Sequence, residues 1–477
     1  MKNKHLAWLA VSSLLAIPAA QADVELIAVG NISGTYEDLA HNTATVLENG
    51  VPGDRLGGIG SGLAYAGGTT FLALPDRGPN AAPYNPAVDD TASYIERFHT
   101  LDLSLLQSDA GSALPFILTP TVRSTTLLYS KTPLVYGTGA GLGVGNGAPA
   151  LNSERHRFYF SGRSDNFDPT RLSTYSNNGR LDAESIRVSR DGRSVFISDE
   201  YGPFVYQFDR GSGARIRAFK IPDKFGVANL SPQGAVEISG NTSGRVANKG
   251  MEGLAITPDG RSLVGAMQSP LIQDGGTDGP VTRLLKIDVQ TGAIREYGYQ
   301  LTNIGTASKP KYPTISDIVA VNDHQFLVDE RDGKGLSDDS TAVFKRLYLI
   351  DLAGAQEVSG VSGAANLLPK AVTKTLFLDV VTVLNAAGIA SIDIPAKLEG
   401  VAFGPDVTVA GANKHTVFIA NDNDYVASVK DTNHPVTVEN PNKWFVFAFD
   451  STDLPGFTAQ KLDDEFDCDG DHRFDDR

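Results

Sequence analysis

A short signature that returns five times limits what this chain can fold into more than any other feature. It reads Gly60-Ser61-Gly62-Leu63, Glu184-Ser185-Ile186, Met251-Glu252-Gly253-Leu254, Ser316-Asp317-Ile318 and Leu398-Glu399-Gly400-Val401, a small acidic or glycine element ahead of an apolar pair. After Glu184 the text IRVSRDGRSVFISDEYGPFVYQFDRGSGARIRAFKI divides into four β-rich runs separated by Asp191-Gly192, by Glu200 to Pro203 and by Gly211-Ser212-Gly213. The text after Glu252 repeats that plan around a longer loop, and the units at Gly60, Asp317 and Glu399 carry recognisable parts of it. Matched turns in repeated four-strand units predict an all-β fold, a single β-propeller with insertions. Two stacked β-sandwiches explain no such repeat.

The unit starts lie about 65 to 120 residues apart, longer than compact propeller repeats of roughly 40 to 50 residues, so several units carry insertions. The widest gap, between Gly62 and Glu184, has room for one more unit around Arg157 to Gly162, which makes six the expected blade number. Val24 to Val29 is the candidate strand that closes the ring against the last unit. Lys370 to Ala387 has apolar positions compatible with a helix, although its β-branched residues leave the assignment open. The glycine-rich run Tyr136 to Ala148 lacks a Lys-Ser/Thr ending and a following helix, so it reads as a loop rather than a nucleotide cradle. With 49 glycines, 25 prolines and 20% charged residues, composition favours short strands and turns over long surface helices.

The first residues, with Lys2 and Lys4 ahead of an apolar stretch from Leu6 to Ala20 and an Ala20-Gln21-Ala22 cleavage pattern, predict a signal peptide over 1–22. A mature chain from Asp23, periplasmic or secreted, follows, with the propeller over 23–455 and an acidic tail over 456–477. No later segment resembles a membrane span. The chain holds 41 Lys+Arg against 56 Asp+Glu, a net −15 that opposes nucleic acid and anionic lipid surfaces. The single cysteine, Cys468, leaves no intramolecular disulfide, and a monomer is expected. In the tail, Asp467-x-Asp469-Gly470-Asp471 only partly imitates a calcium loop, since its glycine comes early and the twelfth-position Glu is missing.

In a propeller the loop before strand one and the loop between strands two and three of each blade open on the same face. Two sets of acids therefore converge at one channel mouth. Glu184, Glu252, Asp317 and Glu399 precede the first strands; Asp76-Arg77, Asp199-Glu200, Asp329-Glu330-Arg331 and Asn421-Asp422-Asn423-Asp424 end the second strands. Carboxylates so close repel one another, and a hard cation resolves the conflict. Calcium suits an all-oxygen set of Asp76, Glu184, Asp199, Glu200, Glu252, Asp329, Glu330, Glu399, Asp422 and Asp424. Zinc does not, because the eight histidines show no ligand spacing and there is no cysteine cluster. Taken singly, each acid is equally well explained as a turn cap or an arginine partner. Arg77, Arg331, Lys249 and Lys397 stand beside the acids, an arrangement suited to a phosphate held by Arg forks next to bound cations.

The stretches PDRGPN, ESIRVSRDGRSVFISDEYGP, NKGMEGLAITPDGR and KLEGVAFGPD resemble the esterase-like phytase family, over roughly Gly57 to Phe449. That resemblance implies a calcium-dependent phosphoric-ester hydrolase related to the β-propeller phytases and acting on a small anionic substrate. Glu184, Asp199, Glu200, Glu252, Asp329, Glu330 and Glu399 occupy its acidic positions, Arg77 and Arg331 would contact phosphate, and Glu200, Glu252, Arg77 and Arg331 would take part in catalysis. The Gly60-Ser61-Gly62 unit departs from the pattern by lacking the Glu. A calcium-dependent lactonase or carboxylesterase and a non-catalytic binding propeller are the other classes compatible with these residues. A serine-hydrolase elbow, Gly-x-Ser-x-Gly, occurs nowhere in the chain.

Overall fold

The computed structural model describes residues 22–80, 91–137, 151–231 and 234–462. The signal-peptide segment, most of the glycine-rich run, Cys468 and the Asp467–Asp471 motif lie outside these residues.

The fold is all-β. Among the described residues, five antiparallel sheets of four or five strands follow one another along the chain, beside two smaller ones. The first contains Gly62–Tyr65, Thr70–Leu74, Arg97–Gln107 and Phe116–Leu127; the second, Ala183–Val188, Ser194–Asp199, Phe204–Asp209 and Arg215–Lys220. The third is built from Met251–Ile256, Ser262–Met267, Val281–Asp288 and Ile294–Gln300, and the fourth from Thr314–Ala320, Gln325–Arg331, Lys345–Asp351 and Lys374–Asp379. The fifth takes Lys397–Phe403, Ala412–Asp422 and Asn442–Phe449, and its outer place is filled by the N-terminal strand Glu25–Ile32, as the sequence leads one to expect.

These strands are apolar on both faces, which forces each sheet to be covered on two sides. Along Asn442–Phe449, Phe445, Phe447 and Phe449 face a core shared with Leu327, Leu347 and Phe377 of the fourth sheet. The alternate residues Trp444, Val446 and Ala448 face a core shared with Leu63, Phe71 and Leu101 of the first. Comparable cores join the first and second sheets (Leu72, Phe98, Ile197, Tyr206), the second and third (Phe196, Val205, Leu254, Leu285) and the third and fourth (Val264, Leu284, Phe326, Val328). Each sheet's first strand touches those of its two neighbours, and the first and fifth sheets also meet in this way. This is the packing plan of a β-propeller.

Two sequence expectations change. Arg157 to Gly162 belongs to no four-stranded sheet: Arg157–Tyr159 pairs with Tyr129–Ser130 and Ser153–Glu154 in a small three-stranded one. A sixth four-stranded unit is absent among the described residues. Lys370 to Ala387 splits, giving the last strand of the fourth sheet, Lys374–Asp379, and then a short helix, Val380–Ala386, capped by the Asp379 side chain. The β-branched Thr375 and aromatic Phe377 suit the strand, and Asp379 marks the change of period. The start of the presumed tail also packs: Thr458 N donates to Val321 O at 2.8 Å and Gln460 Nε2 to Val188 O at 2.8 Å. It crosses the face where the first strands end. No helix among the described residues is long and apolar enough to cross a membrane.

Candidate active site at the acidic mouth

A β-bulge near the start of the first strand recurs in sheets two to five. It falls at Glu184-Ser185, at Glu252, at Ser316 and at Glu399-Gly400. The first sheet, which lacks the acid, is regular there. An extra residue in one strand re-aims its side chain, so the bulge and the glutamate form one device.

The register also reassigns Asp317. Glu184, Glu252 and Glu399 correspond to Ser316, whereas Asp317 takes the level of Gly62, Ser185, Gly253 and Gly400. The strands come so close at this level that a Cβ on Gly253 would lie 2.9 Å from Asp317 Cα, and one on Gly400 would lie 2.8 Å from Gly60 O. Asp317 therefore points into the axis and is fully buried. It receives Arg187 Nη2 on both oxygens at 2.8 and 2.9 Å, Ser185 Oγ at 3.0 Å and Val401 N at 2.9 Å. Arg187 also donates to Leu63 O at 2.6 Å and Ile318 O at 2.9 Å. This pair closes the axis below the mouth and is not part of the acid set facing outward.

Above it lie two carboxylate triplets. Asp182, Glu184 and Glu200 bring an oxygen each within 4.8 Å of one another, and so do Asp76, Asp422 and Asp424. Glu252 is close to Glu200, Glu399 and Arg331, and Glu399 to Arg331 and Lys397. Burial, and then Glu252, holds the Glu184 carboxyl well above the usual range; burial, and then Glu200, does the same to Glu252. Asp76 is raised by burial and by Asp422, and Glu200 is pushed up to about 8 by burial and by Asp182. Asp422 moves the other way: Lys397 Nζ at 2.7 Å outweighs its burial.

Buried oxygens are left without partners in this cluster. Glu200 Oε1 accepts from Gly250 N at 2.7 Å, but Oε2 accepts nothing, and Glu252 Oε2 and Asp329 Oδ2 are alike. An all-oxygen donor set with unpaired buried atoms fits calcium, and neither triplet contains a histidine or a cysteine.

The cations stand among and over the acids. Arg77 Nη1 donates to Asp182 at 3.1 Å and also to Asn248; Lys397 bridges Asp422 and Asp424. Arg331 pairs with Glu399, and Lys249 Nζ donates to Gln268 at 3.1 Å. Arg77, Lys397, Asp424, Asn248, Asn80 and Tyr425 line an open cleft of about 520 Å³. Three of these, Asn248, Asp424 and Tyr425, have positive φ (53°, 50° and 58°). Such backbone concentrates at functional sites in non-glycine residues.

Of the residues the sequence singled out, Asp76, Glu184, Glu200, Glu252, Glu399, Asp422, Asp424, Arg77, Arg331, Lys249 and Lys397 are brought together, with Asp329 beside Arg331 and Glu399. Two acids are placed elsewhere. Asp199 caps its own turn, accepting from Tyr201 N at 3.0 Å, Gly202 N at 3.0 Å and Asp182 N at 3.1 Å. Glu330 alternates to the opposite side of its strand and is consumed by Tyr299, Thr302 N and Lys374. Sequence reasoning missed Asp182, two residues before Glu184 and outside the repeat signature. It also missed Glu96, fully buried with both oxygens unpartnered and held well above the usual range by burial and by Asp182 and Asp76. Nothing in the sequence around Glu96 marks it.

Fold and site together define a repeated-sheet, propeller-type protein with a buried polycarboxylate mouth. The chain belongs to the phytase-like family described as "Esterase-like activity of phytase", whose model matches residues 54–425. It is similar to an uncharacterized secreted protein of Arthroderma benhamiae, at 27% identity over 62% of this chain and 62% of that relative's length. Two solved structures align with it weakly. A putative 6-phosphogluconolactonase from Bacteroides uniformis gives 11% identity, covering 81% of this chain and 88% of that one, with a TM-score of 0.28. The PQQ-bound aldose sugar dehydrogenase from Streptomyces coelicolor gives 9% identity, 82% and 95% coverage, and a TM-score of 0.30. At that level the likeness bears on neither site nor activity.

Proposed function

We propose that the protein is an exported, calcium-dependent hydrolase of phosphoric esters that works at the acidic mouth of a five-bladed propeller. The observation that carries this reading is the pair of carboxylate triplets, with unpaired buried oxygens in the cluster, beneath a cleft rimmed by Arg77 and Lys397. Family membership, and the secreted relative, point the same way.

In this reading Asp182, Glu184 and Glu200 would hold one cation and Asp76, Asp422 and Asp424 another. A bound calcium supplies charge neutralisation for the transferring phosphoryl group and a more acidic water. Arg77 and Lys397 orient the incoming phosphate at the rim, the guanidinium through paired N–H donors. Arg331 and Lys249, deeper in the mouth, balance negative charge as it builds on the transferring group. The unpaired Oε2 of Glu252 would accept the proton of the attacking water. Asp182 fixes the Arg77 side chain for its task.

The test is phosphate release from p-nitrophenyl phosphate, bis-p-nitrophenyl phosphate and phytate, with calcium and with chelator. Calcium-dependent release, reduced on the order of 10²-fold in Arg77→Ala, is expected. Turnover of p-nitrophenyl acetate alone, lost with chelator, would move the activity to carboxylic esters. Absence of turnover on every ester would leave a binding protein.

A further inference from the structure

A second constellation lies at the other end of the fifth sheet, where the first strand finishes and the second begins, away from the acidic mouth. His415 Nε2 is 2.8 Å from Ser451 Oγ, and His415 Nδ1 is 2.8 Å from Asp406 Oδ1. Each member is set by a different element. His415 sits near the start of the strand Ala412–Asp422 and pairs across the sheet with Phe449, two residues before Ser451. Asp406 follows a turn pinned by Gly404 N to Thr416 O at 3.1 Å and by Thr416 Oγ1 to Pro405 O at 2.9 Å. Its second oxygen is held by Asn413 Nδ2 at 3.2 Å. The imidazole leans on Phe457 and Phe449, with ring centroids 4.8 and 5.4 Å away, which limits its rotation.

We infer that Ser451, His415 and Asp406 form a serine-esterase site for small carboxylic esters, independent of the metal site at the mouth. The geometry is that of a nucleophile, a base and a base-orienting carboxylate, which recurs on unrelated folds without a shared sequence motif. With the Nδ1 proton directed at Asp406, Nε2 takes the Ser451 proton as Oγ bonds the carbonyl carbon. The leaving alkoxide departs with that proton. Water then gives a proton to Nε2 and its oxygen to the acyl carbon, and the serine recovers its hydrogen as the carboxylic acid leaves. Phe457, which packs on the imidazole, also lines a small apolar cavity of about 50 Å³, and a short acyl group is the substrate part assigned to that side. Ser451 is exposed, and His415 keeps 19% of its side chain open to solvent.

The test uses the mature protein in excess chelator, which silences a metal-dependent mouth. Hydrolysis of p-nitrophenyl acetate and labelling by a fluorophosphonate, with the modified residue located by mass spectrometry, are measured for the wild type, Ser451→Ala and, as a control at an exposed serine elsewhere, Ser308→Ala. The expected result is one label, on Ser451, with turnover that falls on the order of 10²-fold or more in Ser451→Ala and is unchanged in Ser308→Ala. Because Ser451 is at the surface, Ser451→Ala should melt as the wild type does, so a loss is not a folding defect. No label on Ser451, no chelator-resistant turnover, or full turnover in Ser451→Ala would each overturn the assignment.

Discussion

Glu200 shows how far burial moves a single group. Burial, and then Asp182, pushes its carboxyl up to about 8. A carboxyl whose value is raised on folding stabilises the fold fully below its unfolded value and loses that contribution as pH rises through its folded value. Metal-stripped protein should therefore melt at progressively lower temperature from pH 5 to pH 8. Glu200→Gln, with no charge to acquire, should show a shallower fall, and a scan of Tm against pH for both proteins checks this. A flat wild-type profile would mean that the cluster carries no such strain. The same residue illustrates what the sequence reveals. Its type and its place after a second strand are legible, whereas the unpaired oxygen depends on which backbone amide, Gly250 N, satisfies the other one. Asp199, its neighbour, has the same sequence credentials and spends them on a turn.

At the scale of elements, the bulged first strand explains both what the repeat conveyed and where it misled. Glu-Ser-Ile, Glu-Gly-Leu and Glu-Gly-Val align with Ser-Asp-Ile by register, so Asp317 occupies the small-residue position and not the glutamate position. Sequence alignment on the acid shifts it by one place, and one place in a strand reverses the side chain's direction. The same alternation removes Glu330 from the mouth. The small residues are needed because five strands converge on the axis. Gly400→Ala should accordingly cost about 1–3 kcal/mol in urea unfolding, since its Cβ would meet backbone at Gly60 and Leu63, which has little freedom to move. A substitution that leaves the unfolding midpoint unchanged would show that the axis is looser than this packing implies.

For the molecule as a whole, the all-β class, the repeat and the closing N-terminal strand follow from two-faced apolar strands and turn chemistry, both visible in sequence. The blade number does not, because Arg157–Tyr159 has the composition of a strand but only short partners. Among the described residues, five apolar cores join each four-stranded sheet to the next and the fifth to the first. One consequence is a narrow axis, plugged by Arg187 and Asp317, which confines any ligand of the acidic mouth to that face. The Ser451 site, beyond the plug, is reached from the opposite side.

The central claim, that the buried carboxylates of the mouth form a cation site, is tested most directly by calorimetric titration of chelator-stripped protein with calcium at pH 7.5. Saturable binding, accompanied by release of protons from the raised carboxyls, by a higher Tm and by marked weakening in Glu200→Gln, is the expected outcome. No binding heat and no change in Tm, or binding that Glu200→Gln leaves intact, would contradict it.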